Sequence, residues 1–497
     1  MTKIKKNKGL LFGGRTHADK LNLTENTEDI VLSDPRRSYG AHKIASHLRE
    51  NEWDIEVLDY FPSWTLAELK QYCKSRITTD TKFIGFSVVF DPIDWIKTAT
   101  AFISWFKSKY DIPIIVGGVT WENIENFEAD YYVTGWGEYA ITEVLKHIEN
   151  KSNILKYKTV NNKILVDANH SYPCWPKRKC STKYEERDYI LSDEPLSIEL
   201  GRGCKFKCRF CHFPLLGVRE DMTRDADDLT EEIKLNYDKW GTTSYLIADE
   251  TVNESVSKIM KFGKACENLS FNLNMSAFLR GDIATVKKET WDPMISMGLT
   301  SHYYGVESFN HESAKWAGKG MNPGKLQDGL LELKEYFSKN SRNNYRGTIS
   351  MIAGLPYDTD KTLDISEQWI YDNWKYESLS YFPLLIRKQG FEYGSMLDNE
   401  FESISYENDN SVEARFFRRK TYKHHSKDIM IWKNERFGTS FIKSYFRVNS
   451  FLEKFKEYNA ISNWDVSLLK LFGNSSKKLC SKKILNHIDE YKRKKLS

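Results

Sequence analysis

Three of the chain's eight cysteines lie within eight positions, in the stretch ELGRGCKFKCRFCHFP that runs from Glu199 to Pro214. Their spacing is Cys204-x-x-x-Cys208-x-x-Cys211. Basic residues stand between them: Lys205, Lys207 and Arg209. A buried apolar segment would not carry those cations, which argues against cysteines that only pack. Thiols this close together are typical of metal or redox chemistry.

Four kinds of site compete for this pattern. The run CRFCH, from Cys208 to His212, matches the haem-attachment pattern Cys-x-x-Cys-His, but covalent attachment of that kind usually takes place outside the cytoplasm. A zinc site would use His212 as fourth ligand, although zinc ligands usually come as two separated pairs and the adjacent Cys211 and His212 would have difficulty reaching two vertices of one tetrahedron. Buried structural cysteines are the third interpretation, and an iron–sulfur cluster with three thiolate ligands is the fourth.

The iron–sulfur interpretation explains the spacing best. Thiolates suit iron because they are soft and anionic, and a compact loop can present three of them to one face of a cubane. Three ligands for four irons leave one iron open to a substrate or cosubstrate. Nearby cations would offset the negative charge of the cluster. On this interpretation His212 is a neighbour of the site and not a ligand.

The bulk composition sets the compartment and the number of domains. A chain of 497 residues exceeds one ordinary core, so two or three domains are expected. No apolar run is long enough to cross a bilayer, and the start MTKIKKNKGLLFGG has too short an apolar stretch for a secretory signal. We therefore expect a cytoplasmic protein without disulfides, in which the five scattered cysteines are packing residues: Cys73, Cys174, Cys180, Cys266 and Cys480.

Residues 1–150 predict a first α/β domain, and residues 151–192, rich in Lys, Arg and Pro, predict a linker. Short apolar strands alternate with helical patterns, which indicates a parallel sheet covered on both faces. Glycines follow several strands, where a ligand approaches the backbone of an open α/β sheet. The predicted strands are GLLFGG (Gly9–Gly14), WDIEVLDY (Trp53–Tyr60), FIGFSVV (Phe83–Val89), IPIIVGG (Ile112–Gly118) and ADYYVTG (Ala129–Gly135).

Residues 193–395 predict a second alternating series, with six strand–helix units and the cysteines directly after its first strand. Such a series indicates a partial parallel barrel whose chemistry gathers at the C-terminal strand ends. The strands are LSIEL (196–200), TSYLIA (243–248), SFNLNM (270–275), TSHYYGV (300–306), RGTISMIAG (346–354) and SLSYFPLLI (378–386).

Residues 396–497 predict a mostly helical, basic C-terminal domain. From Ser411 to Ser497 there are 21 Lys or Arg against 8 Asp or Glu, while the whole chain has a net charge of only +4. A solvated helical surface explains this excess, and an anionic partner such as nucleic acid is the alternative. The final YKRKKLS is expected to do nothing specific.

CKFKCRFC fits the Cys-x-x-x-Cys-x-aromatic-Cys signature of the radical S-adenosylmethionine (SAM) superfamily, with Phe210 as the aromatic residue. The signature follows the first strand of the family's partial (β/α)6 barrel, of the TIM type, and the resemblance covers roughly residues 193 to 390. It implies a [4Fe–4S] cluster held by Cys204, Cys208 and Cys211, with SAM at the open iron and Phe210 beside it.

Further segments of the second domain resemble the SAM-binding motifs of this superfamily. LIADET implies Glu250, or Asp249, for the SAM amino group; NMSAFLRGD implies Arg280 for its carboxylate. GVES implies Glu307 for the ribose hydroxyls. GTISMIAGLPYDTDKT resembles the "GLPGET"-like element near the adenine, although Tyr357-Asp358 replaces Gly-Glu.

The first domain resembles the Rossmann-like cobalamin-binding domain that precedes the barrel in one large subgroup. IIVGGVTWEN and ADYYVTGWGEYA carry the resemblance, together with Ser87 after the third strand. It implies a cobalamin site at Gly13, Gly14, Ser87, Gly117, Gly118, Gly135 and Gly137. The histidine motif Asp-x-His-x-x-Gly is missing, so His17 and His42 are not assigned as cobalt ligands. A domain that has lost cobalamin binding is the alternative.

The resemblance implies a cobalamin-dependent enzyme that cleaves SAM to a 5′-deoxyadenosyl radical and, most simply, methylates an unactivated carbon. Radical rearrangement, cyclisation or oxidation is the alternative within enzymes. An iron–sulfur protein that binds nucleic acid through the basic C-terminus is the alternative from another class. The implied partners are an unidentified substrate and an electron donor such as flavodoxin or ferredoxin.

Overall fold

The structure is a computed structural model that describes residues 7–14, 37–88, 93–118, 127–150, 155–160, 163–173, 179–191, 194–211, 222–341, 345–374, 379–383, 406–408, 417–419, 486 and 488–497. These residues form two compact units. The first takes in the described chain up to Glu194 together with Asp238–Gly241 and residues 488–497. The second begins at Pro195 and contains the cysteine stretch.

The first unit is a seven-stranded sheet with helices between its strands. The order is β2-β1-β3-β4-β5-β7-β6, and neighbouring strands are parallel except for the β6–β7 pair. The strands are β1 (Lys8–Phe12), β2 (Asp54–Leu58), β3 (Thr81–Ser87), β4 (Ile114–Gly117), β5 (Tyr131–Thr134), β6 (Lys158–Val160) and β7 (Lys163–Asp167). The helices are α1 (Tyr39–Glu50), α2 (Leu66–Arg76), α3 (Ile93–Lys107), α4 (Glu138–Ile148) and α5 (Ala168–Ser171).

Local sequence explains where these helices begin. The Ser38 hydroxyl caps α1 by accepting the N–H of Ala41 at 3.3 Å. Thr65 and Glu68 form a reciprocal capping box at the start of α2. The apolar strand residues pack against the apolar faces of α1 and α4 in one buried cluster. Burial of both faces is what the continuous apolar strands predict.

The segment expected to be a linker belongs to the first unit. Lys158–Val160 and Lys163–Asp167 form β6 and β7, and β7 pairs in parallel with β5. Farther along, the carboxylate of Asp188 accepts two hydrogen bonds from Arg49, at 2.8 and 2.9 Å. The polar composition that suggested a linker supplies the partners of buried charges in the first unit.

The second unit contains six parallel strands in chain order. The sheet order is β15-β14-β13-β12-β11-β8, so each strand pairs with the next one along the chain. Its strands and small ribbons are β8 (Leu196–Ile198), β9 (Gly201–Arg202), β10 (Met222–Thr223), β11 (Ser244–Ile247), β12 (Asn274–Arg280), β13 (Leu299–Glu307), β14 (Arg346–Ala353), β15 (Leu379–Pro383), β16 (Tyr406–Asn408) and β17 (Phe417–Arg419). The helices are α6 (Ala226–Trp240), α7 (Val256–Cys266), α8 (Gly281–Val286), α9 (Trp291–Ser296), α10 (His311–Ala317), α11 (Pro323–Asn340) and α12 (Asp360–Trp369).

The prediction of an α/β fold with parallel sheets is confirmed, and two details differ. The third strand of the second unit is Asn274–Arg280, four residues later than the predicted start, because the alternating apolar residues of MSAFLR carry it. Within the region expected to be helical, β16 and β17 pair in antiparallel fashion, and most of residues 396–487 lie outside the described part of the chain. Among the described helices, none is long and apolar enough to span a membrane.

Candidate active site

The three cysteines of the motif lie on the loop that follows β8 and β9. None of the three forms a disulfide, and all are partly buried. The loop leaves the strand through Gly203, whose φ of 89° is readily adopted by glycine. The amide of Cys211 donates to the carbonyl of Cys208 at 3.0 Å and closes the turn that carries Phe210.

The donor set fits an iron–sulfur cluster better than a single metal ion. Among the residues that the structure describes, no three Cys, His, Asp or Glu side chains are gathered to hold one ion. The thiolates of a cubane each bind a different iron and so lie farther apart than the ligands of one ion. Three soft, half-buried donors on one loop are therefore suited to a cluster, while His212 lies outside the described residues.

Asp249 fixes the start of the cysteine loop. Its Oδ1 accepts the amide N–H of Leu200 at 2.8 Å, and its Oδ2 lies 2.8 Å from the ammonium of Lys258. Asp249 and Lys258 are 3 % and 2 % exposed. Of the two acidic residues considered for the SAM amino group, Asp249 thus has a structural role.

Glu250 lies next to the loop, and its surroundings shift the pKa of its carboxyl. Burial raises the pKa of its carboxyl to about 7, its own amide and that of Gly203 oppose the rise, and the charges of Asp249 and Glu199 add to it. In its ionised form such a carboxyl can accept hydrogen bonds from a cationic amine, and its charge changes near neutral pH.

Arg280, at the end of β12, contacts the cysteine loop directly. Its Nη1 donates to Sγ of Cys208 at 3.4 Å. Nε and Nη2 donate to the two carboxylate oxygens of Asp282, at 3.0 and 2.6 Å, and Nη2 also donates to the carbonyl of Gly318 at 3.0 Å. The guanidinium lies over the ring of Phe206, 4.2 Å from its centroid.

The hydrogen bonds of Arg280 limit what else it can bind. A guanidinium has five N–H donors. Four are used in these contacts, so among the described residues one N–H on Nη1 has no partner. Arg280 can therefore offer a ligand carboxylate one hydrogen bond while it continues to support the sulfur of Cys208.

Glu307 ends β13 in a strained conformation and is paired with a lysine. Its φ is 70°, which non-glycine residues rarely adopt. The ammonium of Lys319 lies 3.4 Å from its Oε1 and donates to the carbonyl of Gly305 at 3.0 Å. Burial raises the pKa of the Glu307 carboxyl, and Lys319 opposes that shift. The pair holds a carboxylate at the edge of the strands that bear the other motif residues.

The segment near the proposed adenine site is an ordered turn despite its divergent sequence. Oδ2 of Asp358 accepts the amides of Gly354 and Leu355, at 3.1 and 3.0 Å. Oδ1 accepts from the hydroxyl of Ser313 at 2.8 Å. Tyr357 has a φ of 70° and is 54 % exposed. Asp358 thus keeps the turn that the replaced Gly-Glu sequence left in doubt.

In the first unit, the seven residues assigned to cobalamin lie at the carboxyl edge of one sheet. Gly13 and Gly14 follow β1, Ser87 and Gly117 end β3 and β4, and Gly137 precedes α4. Gly118 and Gly135 have φ values of 72° and 82°. The strand order changes direction between β1 and β3, and ligands of open α/β sheets bind at such a point.

The region around Gly13 is too tightly packed for a side chain. A Cβ on Gly13 would overlap the hydroxyl of Ser38 and lie 3.3 Å from Cβ of Ser87. A Cβ on Gly40 would lie 2.9 Å from the Ser87 hydroxyl. Small residues therefore bring β1, β3 and the start of α1 together at the point where the strand order reverses.

His42 is held by carboxylates. Its Nε2 lies 2.9 Å from Oδ2 of Asp59, and its Nδ1 lies 4.0 Å from Oδ2 of Asp188. The side chain is 1 % exposed. This agrees with the expectation that His42 is not a cobalt ligand, while His17 lies outside the described residues.

Residues 198–370 match the family model of the radical SAM superfamily. The second unit of this chain thus contains a radical SAM domain. The matched residues include the cysteine motif, Glu250, Arg280 and Glu307, which the second unit places at the ends of successive strands. The radical SAM interpretation of the sequence is thereby confirmed.

Solved structures of cobalamin-dependent radical SAM enzymes share the fold of the chain. The methyltransferase TsrM from Kitasatospora setae, solved with cobalamin and a [4Fe–4S] cluster, superposes with a TM-score of 0.62 at 14 % identity, over 79 % of this chain and 74 % of TsrM. OxsB, solved with aqua-cobalamin and SAM, gives a TM-score of 0.59 at 15 % identity, over 96 % of this chain and 72 % of OxsB. At such low identity the similarity concerns the fold.

Two relatives by sequence bear transferase names. A protein of Methanocaldococcus jannaschii named as a methylthiotransferase is 22 % identical over 373 residues, 71 % of this chain and 76 % of the relative. A protein of Synechocystis sp. named as a methyltransferase is 24 % identical over 137 residues, 26 % of this chain and 25 % of that protein.

Three residues of the radical SAM unit escaped sequence reasoning. Phe206 stacks on Arg280. The side chain of Asn253 bonds both the amide and the carbonyl of Arg280, at 2.9 and 3.0 Å. Lys319 pairs with Glu307. The sequence offered no signal for Asn253 or Lys319, since only the folded loops bring them to Arg280 and Glu307.

Proposed function

We propose that this radical SAM enzyme binds a [4Fe–4S] cluster, SAM and cobalamin, and methylates an unactivated carbon of its substrate. The observation that carries the proposal is the cysteine loop: three cysteines outside any disulfide follow the first strand, and Arg280 donates to Cys208. The fold shared with TsrM and OxsB, both solved with cobalamin, supports the corrinoid part.

The cluster would be held by Cys204, Cys208 and Cys211, with the fourth iron left for SAM. When bound, this cofactor pair supplies the reducing electron and the 5′-deoxyadenosyl group needed to remove hydrogen from carbon. The chain's part is to hold the thiolates, shield the site and balance charge. Arg280 lowers the negative charge at Cys208, and Phe206 covers the guanidinium.

The residues at the strand ends would orient SAM. Glu250 would accept from its amino group, the remaining N–H of Arg280 would donate to its carboxylate, and Glu307 would accept from its ribose hydroxyls. Lys319 keeps Glu307 in place although the carboxyl is buried. Phe210, on the turn between Cys208 and Cys211, would lie beside the cofactor. Such fixed polar groups bind and orient a cofactor without reorganising.

The first unit would bind cobalamin along the glycine-lined edge of its sheet. When bound, a corrinoid supplies a transferable methyl group. The chain would leave room for the corrinoid at this edge. Gly13, Gly117 and Gly118 keep side chains away from the strand ends, and Ser87 adds a small polar group. With His42 buried between carboxylates, cobalamin would bind without His42 as a ligand.

Transfer of a methylthio group is the second candidate, because the Methanocaldococcus jannaschii relative is named for it. Radical rearrangement, cyclisation or oxidation uses the same residues. An electron donor such as flavodoxin or ferredoxin would reduce the cluster. The nucleic-acid hypothesis loses part of its basis, since Lys492 and Lys495 of the basic tail donate to carbonyls inside the first unit.

Corrinoid and iron content test the proposal together. Protein produced with cobalamin present and reconstituted anaerobically with iron and sulfide should hold about four irons and one corrinoid per chain. Absorbance of the corrinoid and chemical iron analysis measure both. Iron without corrinoid would indicate a radical SAM enzyme whose first unit has lost cobalamin binding.

A further inference from the structure

Residues 488–497 fold into the first unit, where Tyr491 bonds residues 432 and 434 positions earlier in the sequence. Tyr491 is 3 % exposed. Its hydroxyl accepts the amide N–H of Asp59 at 2.9 Å and donates to the carbonyl of Val57 at 3.4 Å. A single side chain from this segment thus bonds the backbone where β2 ends.

Lys495 anchors the same segment one helical turn later. It is 1 % exposed, and its ammonium donates to the carbonyl of Arg187 at 2.7 Å. The ammonium lies over the rings of Tyr189 and Tyr491, 5.4 and 5.7 Å from their centroids. Arg76 donates to the carbonyl of Lys495 at 3.1 Å. These contacts show that residues 488–497 are packed against the first unit and are not a solvated tail.

The carboxylate of Asp59, adjacent to the Tyr491 contact, organises the start of α1. It is fully buried, and its Oδ1 accepts the amide of Ser38 at 2.8 Å. Its Oδ2 accepts from Arg37 and lies against His42, each at 2.9 Å. Arg37 lies over the ring of Tyr491, 5.1 Å from its centroid. Tyr491 therefore contacts both Asp59 and Arg37, which pairs with Asp59.

From Asp59 the contacts continue to the proposed corrinoid site. Ser38, held by Asp59, fills the space beside Gly13, and the amide of Gly13 donates to the carbonyl of Leu58 at 3.0 Å. Gly13 follows β1 at the point where the strand order reverses. A continuous series of contacts thus runs from Tyr491 through Asp59 and Ser38 to Gly13.

We propose that Tyr491 and Lys495 are positioning residues of the corrinoid site. By fixing Asp59 and Arg187 they hold the Ser38–Gly13 contact, and with it the edge of β1, in the arrangement that accepts the ligand. The inference rests on the proposed binding of cobalamin by the first unit. It assigns a role to a segment whose composition suggests only a charged end.

Tyr491→Phe is the sharpest test, because it removes one hydroxyl and keeps the ring that packs on Arg37. Loss of that hydroxyl leaves the Asp59 amide buried without a partner, and we expect the affinity for hydroxocobalamin to fall about tenfold. Lys495→Met is the second variant and should act in the same direction. Lys494→Met is the matched control, since the Lys494 side chain is 43 % exposed and pairs with Glu490 on the surface.

Three readouts are measured on each reconstituted protein: hydroxocobalamin affinity by absorbance titration, iron per chain, and hydrogen exchange of residues 38–59. Positioning predicts weaker corrinoid binding and faster exchange in Tyr491→Phe and Lys495→Met, with iron unchanged. Unchanged corrinoid affinity in both variants would overturn the inference, as would loss of iron in parallel, which indicates general unfolding. If the wild type binds no corrinoid, the proposed function fails, whereas exchange still reports whether Tyr491 orders the start of α1.

Discussion

The two units place their candidate sites at the same kind of edge but build them differently. In the radical SAM unit the strand ends carry charged side chains that are already paired, as in Arg280 with Asp282 and Glu307 with Lys319. In the first unit the strand ends carry glycines, and the charges lie buried behind them around Asp59. The paired charges of the radical SAM unit would fix a polar cofactor by electrostatics. The glycines of the first unit would leave room for a large cofactor.

The largest effect is expected from Cys208→Ala. This change removes one of three proposed thiolates and the acceptor of the Arg280 hydrogen bond. Reconstituted protein should lose the iron–sulfur absorbance and all SAM cleavage while it keeps its corrinoid. Cys266→Ala is the control, because this thiol is buried in α7 and should leave the iron content unchanged. A Cys208→Ala protein that still cleaves SAM would show that the cysteine motif is not the site.

Lys319→Met tests whether paired charges build the SAM site. The variant leaves the buried Glu307 carboxyl without its cation, and removal of one partner of a buried pair typically costs about 3–5 kcal/mol. We expect the KM for SAM to rise on the order of a hundredfold, with iron content maintained. Lys315→Met, on the exposed face of α10, is the matched control. An unchanged KM would mean that Glu307 does not bind SAM or does not depend on Lys319.

Gly13→Ala tests whether empty space builds the corrinoid site. The added Cβ would overlap the hydroxyl of Ser38, and the start of α1 would have to move. Corrinoid binding should weaken about tenfold or more with SAM cleavage unaffected. Adding Ser38→Gly restores the room, and glycine is tolerated at a helix N-cap. Failure of the double variant to recover binding would contradict the steric explanation.

Low pH should reduce the folding stability of the radical SAM unit by protonating His302. Burial lowers the pKa of this histidine to about 4; it accepts from Tyr304 at 2.6 Å and donates to the carbonyl of Leu299 at 2.9 Å. Because the folded pKa lies below the ordinary value of about 6.5, the stabilisation is complete above that pH and is lost as the pH falls toward 4, by up to about 3 kcal/mol. Hydrogen exchange of β13 between pH 7 and pH 4 measures the loss. His302→Phe should flatten this dependence, and an unchanged slope would contradict it.

The smallest effect concerns alkaline pH and the first unit. Burial lowers the pKa of Lys495 to about 8, and Asp188, Glu56 and Asp59 oppose the shift while Arg37 adds to it. The folded state therefore binds fewer protons than the unfolded state above that pH, so the stability of the docked segment should rise from pH 8 toward pH 10. Exchange of residues 488–497 measures it, and Lys495→Met should remove the rise. A rise of the same size in Lys495→Met would assign it to another group.

Sequence reasoning succeeded where one local pattern determines one structure. The three motif cysteines lie on one loop. The predicted apolar strands form the parallel sheets, with ends that differ from the predicted ones by a few residues. It failed where partners are distant in sequence. The pairing of β7 with β5 and the docking of Tyr491 on Asp59 depend on tertiary packing, which a basic, polar composition does not reveal. Lys319 and Asn253 escaped for the same reason.

Anaerobic incubation of the reconstituted protein with SAM and a low-potential reductant shows whether the cysteine loop supports reductive cleavage of SAM. We expect 5′-deoxyadenosine from protein that holds about four irons per chain, and none from Cys208→Ala. Wild-type protein that holds four irons and leaves SAM intact would contradict this expectation.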